Sequence, residues 1–513
     1  MASAPHNWLC GSIREAEPAQ VTAAIRKAGE LVNCLEIRLD YLDPKSLSSE
    51  VLCGWVAESR VPLIFTFRKR ENGGEFSGST NLQLELWDRM ADARPAFVDL
   101  EIETVEAGLH GDLSRLRRPS TQIIVSYHNF QETPENLEGI YRRLVSVQPD
   151  VVKLAAQAHR FSDNKRMLDV IAKARAEGRP IIALTMGETG LCTRILGPRL
   201  GALLTYGSLE EGKETAPGQI SVHELEALYG LSAVDRDTRI YGVLGNPVGH
   251  SLSPHIHNPA FRLKGLNCRY LPLLVRELDD FGPYLRDFEG LSVTIPHKSG
   301  ILRFVDERDW TVQHTGAANT VVRKAGGMVA YNTDLDGIRE ALAEPLAKGI
   351  ESVVMLGCGG AARAAACVLR ESGCKVTVLA RDPSKAGRFA DEFGFRSDLQ
   401  QNAPRHRADL LVNATPVGMA PHSDATPIPQ ENLRYSYVFD MVYNPLETRL
   451  LREARPHSTV ISGLDMFIGQ AARQFELWTG VEAPRDLMRR IVVQRLTSQA
   501  EPRQVGTSEP FPS

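Results

Sequence analysis

Residues 352–363 read SVVMLGCGGAAR, an apolar run that leads into a glycine-rich turn and then into an alanine-rich stretch. The apolar run predicts a buried strand, and the alanines after the turn predict a helix. Backbone amides at the start of such a helix are oriented to bind a pyrophosphate. The sequence therefore predicts a Rossmann-type nucleotide-binding domain at 346–463, and the expected amides are those of Gly357, Gly359, Gly360, Ala361 and Ala362.

The end of the next strand indicates which nucleotide this domain binds. The run VTVLA (376–380) is followed by Arg381 in place of an acidic residue. A guanidinium there favours a 2′-phosphate over a free ribose hydroxyl, so we expect NADP as the cofactor. Asp382 lies next to it and argues for NAD instead.

Eight β-rich runs alternate with segments of helical composition in the first 220 residues. They span residues 7–13, 34–41, 62–67, 96–102, 121–127, 150–155, 180–186 and 201–206. This order predicts a closed (β/α)8 TIM barrel with an active site at the carboxyl ends of its strands.

The predicted fold class is α/β, with the barrel followed by a two-domain part. We assign the barrel to residues 1–228, a linker to 229–239 and a smaller α/β domain to 240–345, which a C-terminal helix near 464–495 completes. The polar stretch 498–513 is expected to be a disordered tail.

Composition limits the function classes. The chain has 513 residues and a formal net charge of −4, which supplies no general attraction to nucleic acid or anionic membrane. It has no apolar run of membrane-spanning length and no visible targeting segment. Its eight cysteines form no CxxC pair, so we expect a reduced, cytoplasmic environment and no metal site. We expect small-molecule partners only, and the oligomeric state stays open.

Polar residues follow three of the predicted barrel strands. Arg68 follows LIFTF, His128 follows IIVSY and Lys153 follows the valines of PDVVKLA. A lysine in an apolar surround at a strand end can attack a ketone as a neutral amine, and His128 could then move a proton at the adjacent carbon. The alternatives are an ion pair of Lys153 at the barrel rim and, for the charged face of CLEIRLDYL that carries Glu36 and Arg38, a solvated edge strand.

Residues 7–220 resemble the type I 3-dehydroquinate dehydratase family. The resemblance rests on EIRLD (36–40), TFR (66–68), VDLE (98–101), SYHNFQETP (126–134), VVKLA (151–155), MGETG (186–190) and APGQ (216–219). It implies that Lys153 forms the Schiff base and that His128 is the general acid and base. It also implies substrate contacts at Glu36, Arg38, Arg68, Arg194, Thr215 and Gln219.

One position departs from this family's pattern. The family places a glutamate directly before a Gly-Gly pair, where it orients the histidine, whereas this sequence reads Glu71-Asn72-Gly73-Gly74. Without a gap, Asn72 takes that position. An amide cannot stabilise an imidazolium by charge, so proton transfer could be slower. Glu71 could instead reach His128 through a shifted loop.

The second half contains a further set of polar motifs. GNPVGHSLSPHIHN (245–258) places Ser251 and Ser253 two residues apart, as in a carboxylate site or a simple serine-rich turn. Lys298 ends LSVTIPHK (291–298), and Asp334 lies in YNTDLDG (331–337). These two residues form either a plain ion pair or a relay that gives a proton to a carbonyl oxygen reduced by hydride.

Residues from about 240 to 480 resemble shikimate dehydrogenase. Further motifs that carry the resemblance are GAANT (316–320), NATPVGM (413–419), FDMVYNPLETRLL (439–451) and SGLDMFIGQAARQFELWTG (462–480). It implies catalytic roles for Lys298 and Asp334. It implies substrate contacts at Ser251, Ser253, Thr294, Asn319, Tyr443 and Gln470, and cofactor contacts at Asn413, Thr415, Met419 and Gly463.

Together the two resemblances imply a bifunctional enzyme of the shikimate pathway to chorismate and the aromatic amino acids. It would dehydrate 3-dehydroquinate to 3-dehydroshikimate through a Schiff base and reduce that product to shikimate with NADPH. Three alternatives stay open: a different Schiff-base lyase such as an aldolase, a quinate dehydrogenase in the second half, and a non-catalytic regulator that binds pathway intermediates.

Overall fold

The computed structural model describes residues 8–210 and 212–500, with side chains described as far as residue 498. The strands of these residues, in chain order, are β1 (Trp8–Ile13), β2 (Cys34–Arg38), β3 (Leu63–Thr66), β4 (Phe97–Glu101), β5 (Gln122–Asn129), β6 (Val151–Gln157), β7 (Ile181–Met186), β8 (Leu204–Ser208), β9 (Arg239–Gly245), β10 (Cys268–Leu274), β11 (Gly290–Val293), β12 (Glu307–Arg308), β13 (Thr320–Lys324), β14 (Gly327–Tyr331), β15 (Ser352–Leu356), β16 (Lys375–Ala380), β17 (Arg396–Leu399), β18 (Leu410–Asn413), β19 (Tyr437–Asp440) and β20 (Thr459–Ser462).

The α-helices of the same residues are α1 (Pro18–Ala28), α2 (Ser49–Glu58), α3 (Thr80–Asp92), α4 (Ile102–Leu109), α5 (Leu137–Ser146), α6 (Phe161–Ala176), α7 (Leu191–Leu200), α8 (Val222–Ala227), α9 (Ser253–Leu263), α10 (Leu278–Phe281), α11 (Trp310–Thr315), α12 (Asp334–Ala341), α13 (Ala343–Ala347), α14 (Gly360–Glu371), α15 (Pro383–Phe393), α16 (Arg449–Ala454), α17 (Gly463–Thr479) and α18 (Arg485–Ala500).

The chain divides into two compact units. Within the described residues, unit 1 runs to Ser251 and includes Asn267–Tyr284, and unit 2 comprises Leu252–Leu266 and the residues from Leu285 onward. The boundary therefore lies inside the segment predicted as one domain at 240–345, and the predicted linker at 229–239 lies within unit 1. The predicted division into three domains stays a prediction.

The barrel prediction is confirmed. Strands β1 to β8 form one parallel sheet in the order β7-β6-β5-β4-β3-β2-β1-β8. The two ends of the sheet meet where the Leu203 amide donates to the Ile181 carbonyl at 2.7 Å. Each of the eight strands coincides with a predicted run to within a few residues. The first predicted run also includes residue 7, which lies outside the described residues.

Period-two alternation places a ring of polar side chains above an apolar layer inside the barrel. Buried residues of six strands fill the lower layer, namely Cys10, Cys34, Ile64, Phe97, Ile124 and Val151. Two positions further along each strand a polar residue points the same way, because alternate side chains share a face. This polar layer consists of Ser12, Glu36, Thr66, Asp99, Ser126 and Lys153, all of them buried.

The remainder of unit 1 packs on the barrel helices. Strands β9 and β10 pair in parallel, and the segment after β10 leads to α10. The Phe161 ring at the start of α6 meets the Phe281 ring at a centroid distance of 4.7 Å. The Asp280 carboxylate accepts hydrogen bonds from the Phe161 amide at 2.7 Å and the Ser162 amide at 3.3 Å. A residue distant in sequence thus caps α6, which follows the strand that carries Lys153.

Unit 2 contains the predicted Rossmann-type sheet. Six parallel strands follow the order β17-β16-β15-β18-β19-β20, with apolar clusters on both faces. In a second group of strands, β13 lies antiparallel to both β11 and β14, and β12 pairs with β14. Helix α12 crosses α17 so closely that a Cβ at Gly337 would lie 2.3 Å from the Met466 carbonyl oxygen.

The C-terminal helix is longer than the sequence predicted. Residue 498 was expected to open a disordered tail, but α18 continues to Ala500. The rest of that predicted tail, residues 501–513, lies outside the described residues. No helix in the described part of the chain is both long and apolar enough to cross a membrane.

Candidate active sites

A pocket of about 510 Å³ lies at the carboxyl ends of the barrel strands. All eight residues that the sequence nominated for the barrel line it, namely Glu36, Arg38, Arg68, His128, Lys153, Arg194, Thr215 and Gln219. They come from the three strands β2, β5 and β6, from the segments that follow β3 and β8, and from α7. The closed sheet brings them together because the carboxyl ends of parallel strands meet at one rim.

Lys153 lies at the centre of this pocket and is 4% exposed. Its Nζ is 2.6 Å from an Asp99 carboxylate oxygen and 3.2 Å from a Glu36 carboxylate oxygen. It also donates to the Tyr206 hydroxyl oxygen at 2.9 Å. The expected apolar surround is therefore wrong: the amine is desolvated but ion-paired. The alternative prediction, an ion pair of Lys153, describes these contacts, although the pair lies inside the pocket and not at the barrel rim.

Asp99 links the amine to a second cation. The carboxylate oxygen that contacts Lys153 also accepts from Arg68 at 2.9 Å, and the other oxygen accepts from the Ser126 hydroxyl at 2.6 Å. Burial raises the pKa of Asp99, but the charges of Lys153 and Arg68 outweigh burial and hold it well below its usual range. Asp99 is therefore a carboxylate at neutral pH.

His128 is held as a neutral imidazole. Burial lowers its pKa well below 6.5, and the positive charges of Arg68 and Lys153 lower it further. Its Nδ1 is buried and has no hydrogen-bond partner among the described residues. The ring stacks on Phe130 at a centroid distance of 6.3 Å. A neutral imidazole with a free nitrogen is suited to accept a proton.

Neither of the two candidates for orienting His128 bonds to its buried Nδ1 among the described residues. The Glu71 side chain is 71% exposed and lies 3.8 Å from Lys69, so its carboxylate faces solvent. Asn72 is half-buried, and its side-chain amide nitrogen has no hydrogen-bond partner in the described part of the chain. The loop shift that would bring Glu71 to His128 is thus not present, and the Asn72 amide nitrogen and His128 Nδ1 are not hydrogen-bonded to each other.

Arg194 is a buried cation with no carboxylate partner in the described part of the chain. It is 1% exposed, and it donates to the Tyr206 carbonyl at 3.2 Å. Its Nε and second terminal nitrogen have no partner among residues 8–210 and 212–498. Burial lowers its pKa to about 10. An unpaired guanidinium with free donors is suited to a carboxylate ligand, which it can bind with two parallel hydrogen bonds.

Two further polar residues close the rim of the pocket. The Gln219 side-chain oxygen accepts from the Thr215 amide at 2.7 Å and from the Thr215 hydroxyl at 3.1 Å. The Gln219 side-chain nitrogen is buried and has no protein acceptor among the described residues. This amide therefore presents a donor to a ligand.

A second polar cluster lies in unit 2. Lys298 Nζ is 2.6 Å from one Asp334 carboxylate oxygen, and the other oxygen accepts from the Asn319 amide at 2.8 Å. The same Asn319 nitrogen lies 3.5 Å from the Gln470 side-chain oxygen. Four of the nominated residues thus form one connected group. Asp334 begins α12, where the helix dipole favours a negative charge.

The other predicted substrate contacts of the second half are distributed over both units. Ser251 ends the first segment of unit 1, whereas Ser253 begins α9 of unit 2 and is buried. Thr294 follows β11 directly. The Tyr443 ring stacks on Phe467 at 4.2 Å, and burial raises its pKa to about 12.

The glycine turn after β15 leaves open space beside its backbone amides. Gly357 has a φ of 99°, and Gly359 is the N-cap of α14 without a side-chain hydrogen bond. A Cβ at Gly359 or Gly360 would meet nothing within 4 Å, so the turn leaves space for a ligand beside its amides. Ala361 and Ala362 continue the helix, and the Ala362 side chain is buried in the core.

Arg381 and Asp382, which follow β16, differ in what their side chains contact. Arg381 is exposed. The Asp382 carboxylate caps α15 by accepting from the Ser384 amide at 3.0 Å and the Lys385 amide at 3.1 Å. Asp382, the acidic residue that would favour NAD, is therefore engaged by the helix. The guanidinium of Arg381 is the group that stays available to a ligand.

The residues nominated for the nicotinamide side differ in exposure. Asn413 is fully buried and donates to Asp440 at 2.9 Å and to the Val417 carbonyl at 3.2 Å, so it supports the following loop from below. Thr415 donates to the Asn413 side-chain oxygen at 2.6 Å. Met419 is 48% exposed. Gly463 begins α17, where a Cβ would lie 2.5 Å from the Met441 carbonyl oxygen.

Four known protein families match segments of this chain. Residues 9–236 match type I 3-dehydroquinase, and residues 243–321 match the shikimate dehydrogenase substrate binding domain. Residues 463–493 match the shikimate 5′-dehydrogenase C-terminal domain. Residues 348–447 match the NADPH-binding domain of acetohydroxy acid isomeroreductase.

A full-length relative decides the family. The chain is 35% identical over 508 residues to the bifunctional 3-dehydroquinate dehydratase/shikimate dehydrogenase, chloroplastic, of Arabidopsis thaliana, covering 93% of this chain and 83% of the relative. The chain belongs to this bifunctional dehydratase/dehydrogenase family. It is also 28% identical to the shikimate biosynthesis protein AroDE of Chlamydia pneumoniae, over 92% of this chain and 95% of that protein. The NADP(+) shikimate dehydrogenase of Methanothermobacter thermautotrophicus is 41% identical over 49% of this chain and 94% of its own.

Two polar partners of Lys153 in this bifunctional dehydratase/dehydrogenase, Asp99 and Tyr206, were not nominated from the sequence, although both lie in predicted strands. Asp99 is the first of the two acidic residues of VDLE, and Tyr206 ends the eighth predicted run. Both follow a barrel-filling residue by two positions, as Phe97 precedes Asp99 and Leu204 precedes Tyr206. In the strand of Glu36, charged and apolar side chains alternate. Applying the same two-residue alternation to every predicted strand would have identified Asp99 and Tyr206.

Proposed function

We propose that the protein catalyses two successive reactions, the dehydration of 3-dehydroquinate to 3-dehydroshikimate and the NADPH-dependent reduction of 3-dehydroshikimate to shikimate. The observation that carries the first half is the single pocket that all eight nominated barrel residues line. The connected group of Lys298, Asp334, Asn319 and Gln470 supports the second half.

In the barrel, the Lys153 amine adds to the substrate ketone at C3 and forms an imine with loss of water. The imine withdraws electrons, so His128 can take the C2 proton, and the electron pair left on C2 expels the C1 hydroxyl, which leaves as water when it is protonated. Hydrolysis of the imine then frees the product and the amine. The buried guanidinium of Arg194 binds the substrate carboxylate, which fixes the ring relative to Lys153.

In unit 2, Lys298 and Asp334 supply the proton for the second reaction. NADPH, when bound, supplies the hydride to the ketone carbon. Lys298 donates a proton to the ketone oxygen, and Asp334 holds the ammonium 2.6 Å away in the orientation that this donation needs. Asn319 fixes the other oxygen of the Asp334 carboxylate.

The residues present at the glycine turn fit NADPH. The open amides at Gly359 and Gly360 would hold the pyrophosphate. Arg381 would pair with the 2′-phosphate, since Asp382 is engaged at α15. We propose NADP over NAD on this ground.

We retain the predicted division into a dehydratase barrel, a substrate-binding domain and an NADP domain as a proposal, supported by the family matches at 9–236, 243–321 and 348–447. The cytoplasmic localisation stays a prediction, and the Arabidopsis relative is named as chloroplastic.

The proposal is tested by following NADPH consumption when 3-dehydroquinate is the only substrate. Lys153→Ala should abolish consumption from 3-dehydroquinate and leave shikimate oxidation with NADP+ unchanged. Lys298→Ala should abolish both NADPH consumption and shikimate oxidation, while 3-dehydroshikimate still forms from 3-dehydroquinate. Lys173→Ala is the matched control, because it breaks an exposed ion pair with Glu138 on the barrel surface. Consumption from 3-dehydroquinate by the Lys153 variant would overturn the Schiff-base assignment. Equal turnover of quinate and shikimate would favour the quinate dehydrogenase alternative.

A further inference from the structure

The Tyr206 hydroxyl is hydrogen-bonded to the amine of Lys153, a polar contact that packing of the ring alone does not require. It lies on β8 in the lining of the barrel pocket and is 6% exposed. Its hydroxyl oxygen accepts from Lys153 Nζ at 2.9 Å, and the same Nζ lies 4.5 Å from the ring centroid. A buried tyrosine usually directs its hydroxyl to a backbone carbonyl or water. Here the phenol oxygen contacts the nucleophile of the proposed dehydratase.

The phenol is protonated and its proton is available. Burial raises the pKa of Tyr206 well above 10, and the nearby Glu36 carboxylate raises it further. In the described part of the chain, the hydroxyl accepts from Lys153, and no protein group takes its own proton. Since the side chain lines the pocket, that proton can be donated to a bound ligand.

The other partners of the amine cannot replace this donor. Lys153 Nζ contacts two carboxylates and one hydroxyl among the described residues. Burial raises the pKa of Glu36, but the charges of Lys153 and Arg38 outweigh it, and the net pKa of Glu36 is lowered. Asp99 is likewise ionised. Both carboxylates can hold an ammonium, but neither carries a proton to give to a substrate oxygen.

We propose that Tyr206 is a catalytic residue of the dehydratase that relays a proton from the Lys153 nitrogen to the substrate oxygen during imine formation. This role rests on the proposed function. The Lys153 ammonium, which is ion-paired at rest, first gives one proton to the neutral His128 imidazole. When the resulting neutral amine adds to the ketone, the N–C bond forms, the C=O electron pair moves to oxygen, and the nitrogen becomes cationic. The N–H then passes its proton to the phenol oxygen while the phenol passes its own proton to the alkoxide.

The relay leaves Tyr206 as it began and consumes no external acid. It yields a neutral carbinolamine, from which the nitrogen lone pair expels the hydroxyl as water once His128 or solvent protonates it. Because the phenol is never ionised at rest, its raised pKa is compatible with the relay. The same path in reverse serves imine hydrolysis.

Tyr206→Phe tests the relay because it removes one oxygen and keeps the ring beside Lys153. We expect dehydratase kcat to fall by about 100-fold, the lower range of general acid–base effects, while KM changes little. Reduction with borohydride during a single turnover should trap the substrate–Lys153 adduct at a correspondingly slower rate, measured by mass spectrometry. Shikimate oxidation by the same variant should equal that of the wild type, which also reports correct folding of unit 2.

Tyr141→Phe is the matched control, because it removes another buried tyrosine hydroxyl, one that donates to Glu177 at 2.6 Å on the outer helices. It should leave the trapping rate unchanged. Replacement of Tyr206 by 3,5-difluorotyrosine provides a second variant of nearly native shape, and its more acidic phenol should change the trapping rate and its pH dependence.

The outcomes separate the role of Tyr206 from the proposed function. An adduct that forms as fast in Tyr206→Phe as in the wild type, with unchanged kcat, overturns the relay and leaves the dehydratase assignment intact. Absence of any trapped adduct in the active wild type overturns the Schiff-base mechanism and the relay together.

Discussion

Arg194→Met removes a guanidinium that lies in the barrel pocket without a carboxylate partner, and we expect it to stabilise the protein while it impairs dehydration. The pKa of Arg194 is about 10, against 12.5 for an ordinary arginine, because burial disfavours the charged form. The folded state therefore carries a penalty of about 3 kcal/mol at neutral pH, at about 1.4 kcal/mol per pKa unit. Since the folded pKa is the lower one, the penalty is complete below pH 10 and fades as the pH rises from there.

The substitution also removes the hydrogen bond to the Tyr206 carbonyl, worth about 1 kcal/mol. The net expectation is a gain of about 2 kcal/mol in the free energy of unfolding of the ligand-free protein. For a unit of this size, that gain corresponds to a rise of about 4–8 °C in the midpoint of its thermal transition. Loss of two charge-assisted hydrogen bonds to the substrate carboxylate should lower dehydratase kcat/KM by about 100-fold or more.

Differential scanning calorimetry without ligand and a steady-state dehydratase assay measure the two effects. Arg199→Met is the control on the same helix, because Arg199 donates to the Thr238 carbonyl at 2.8 Å and does not line the pocket. It should lose about 1 kcal/mol of stability and keep its kcat/KM. An Arg194→Met protein that is less stable than the wild type, or whose kcat/KM is within threefold of it, would refute the reasoning.

Three further predictions follow from the same unit. Asn72→Glu should raise dehydratase kcat, since a carboxylate there can stabilise the His128 imidazolium, and a lower kcat in a folded variant would show that this position does not address the histidine. Because the pKa of His128 lies well below 6.5, dehydratase kcat/KM should stay constant from pH 8 to below pH 6 and fall only at lower pH; a midpoint at 6.5 in the pH–rate profile would contradict this. Asp280→Ala removes the cap of α6 and should cost about 1 kcal/mol in urea unfolding of unit 1, with partial recovery in Asp280→Asn; unchanged stability in both would exclude a capping role.

Local patterns predicted the main elements of the fold. The eight barrel strands and the strand–turn–helix at 352–363 are encoded in runs of apolar residues separated by polar and glycine positions, and such periodicities depend only on neighbours in the chain. The barrel topology follows from this order, because parallel strands joined by helices close in few ways. The same closure places the motif residues at strand ends into one pocket.

Only the tertiary structure decided which groups surround each reactive atom. Lys153 was expected in an apolar surround, but its partners Asp99 and Glu36 come from 54 and 117 residues away in the chain. Asp382 was expected to compete for the cofactor, yet it caps a helix, and Asn413 is buried under its loop.

The division of the chain into units likewise depends on tertiary packing, because the segment after β10 packs on the barrel helices. The physical reason is the same in each case. Backbone periodicity is a local property, whereas ion pairing, burial and the pKa values that result from them depend on which distant strands the closed sheet places side by side.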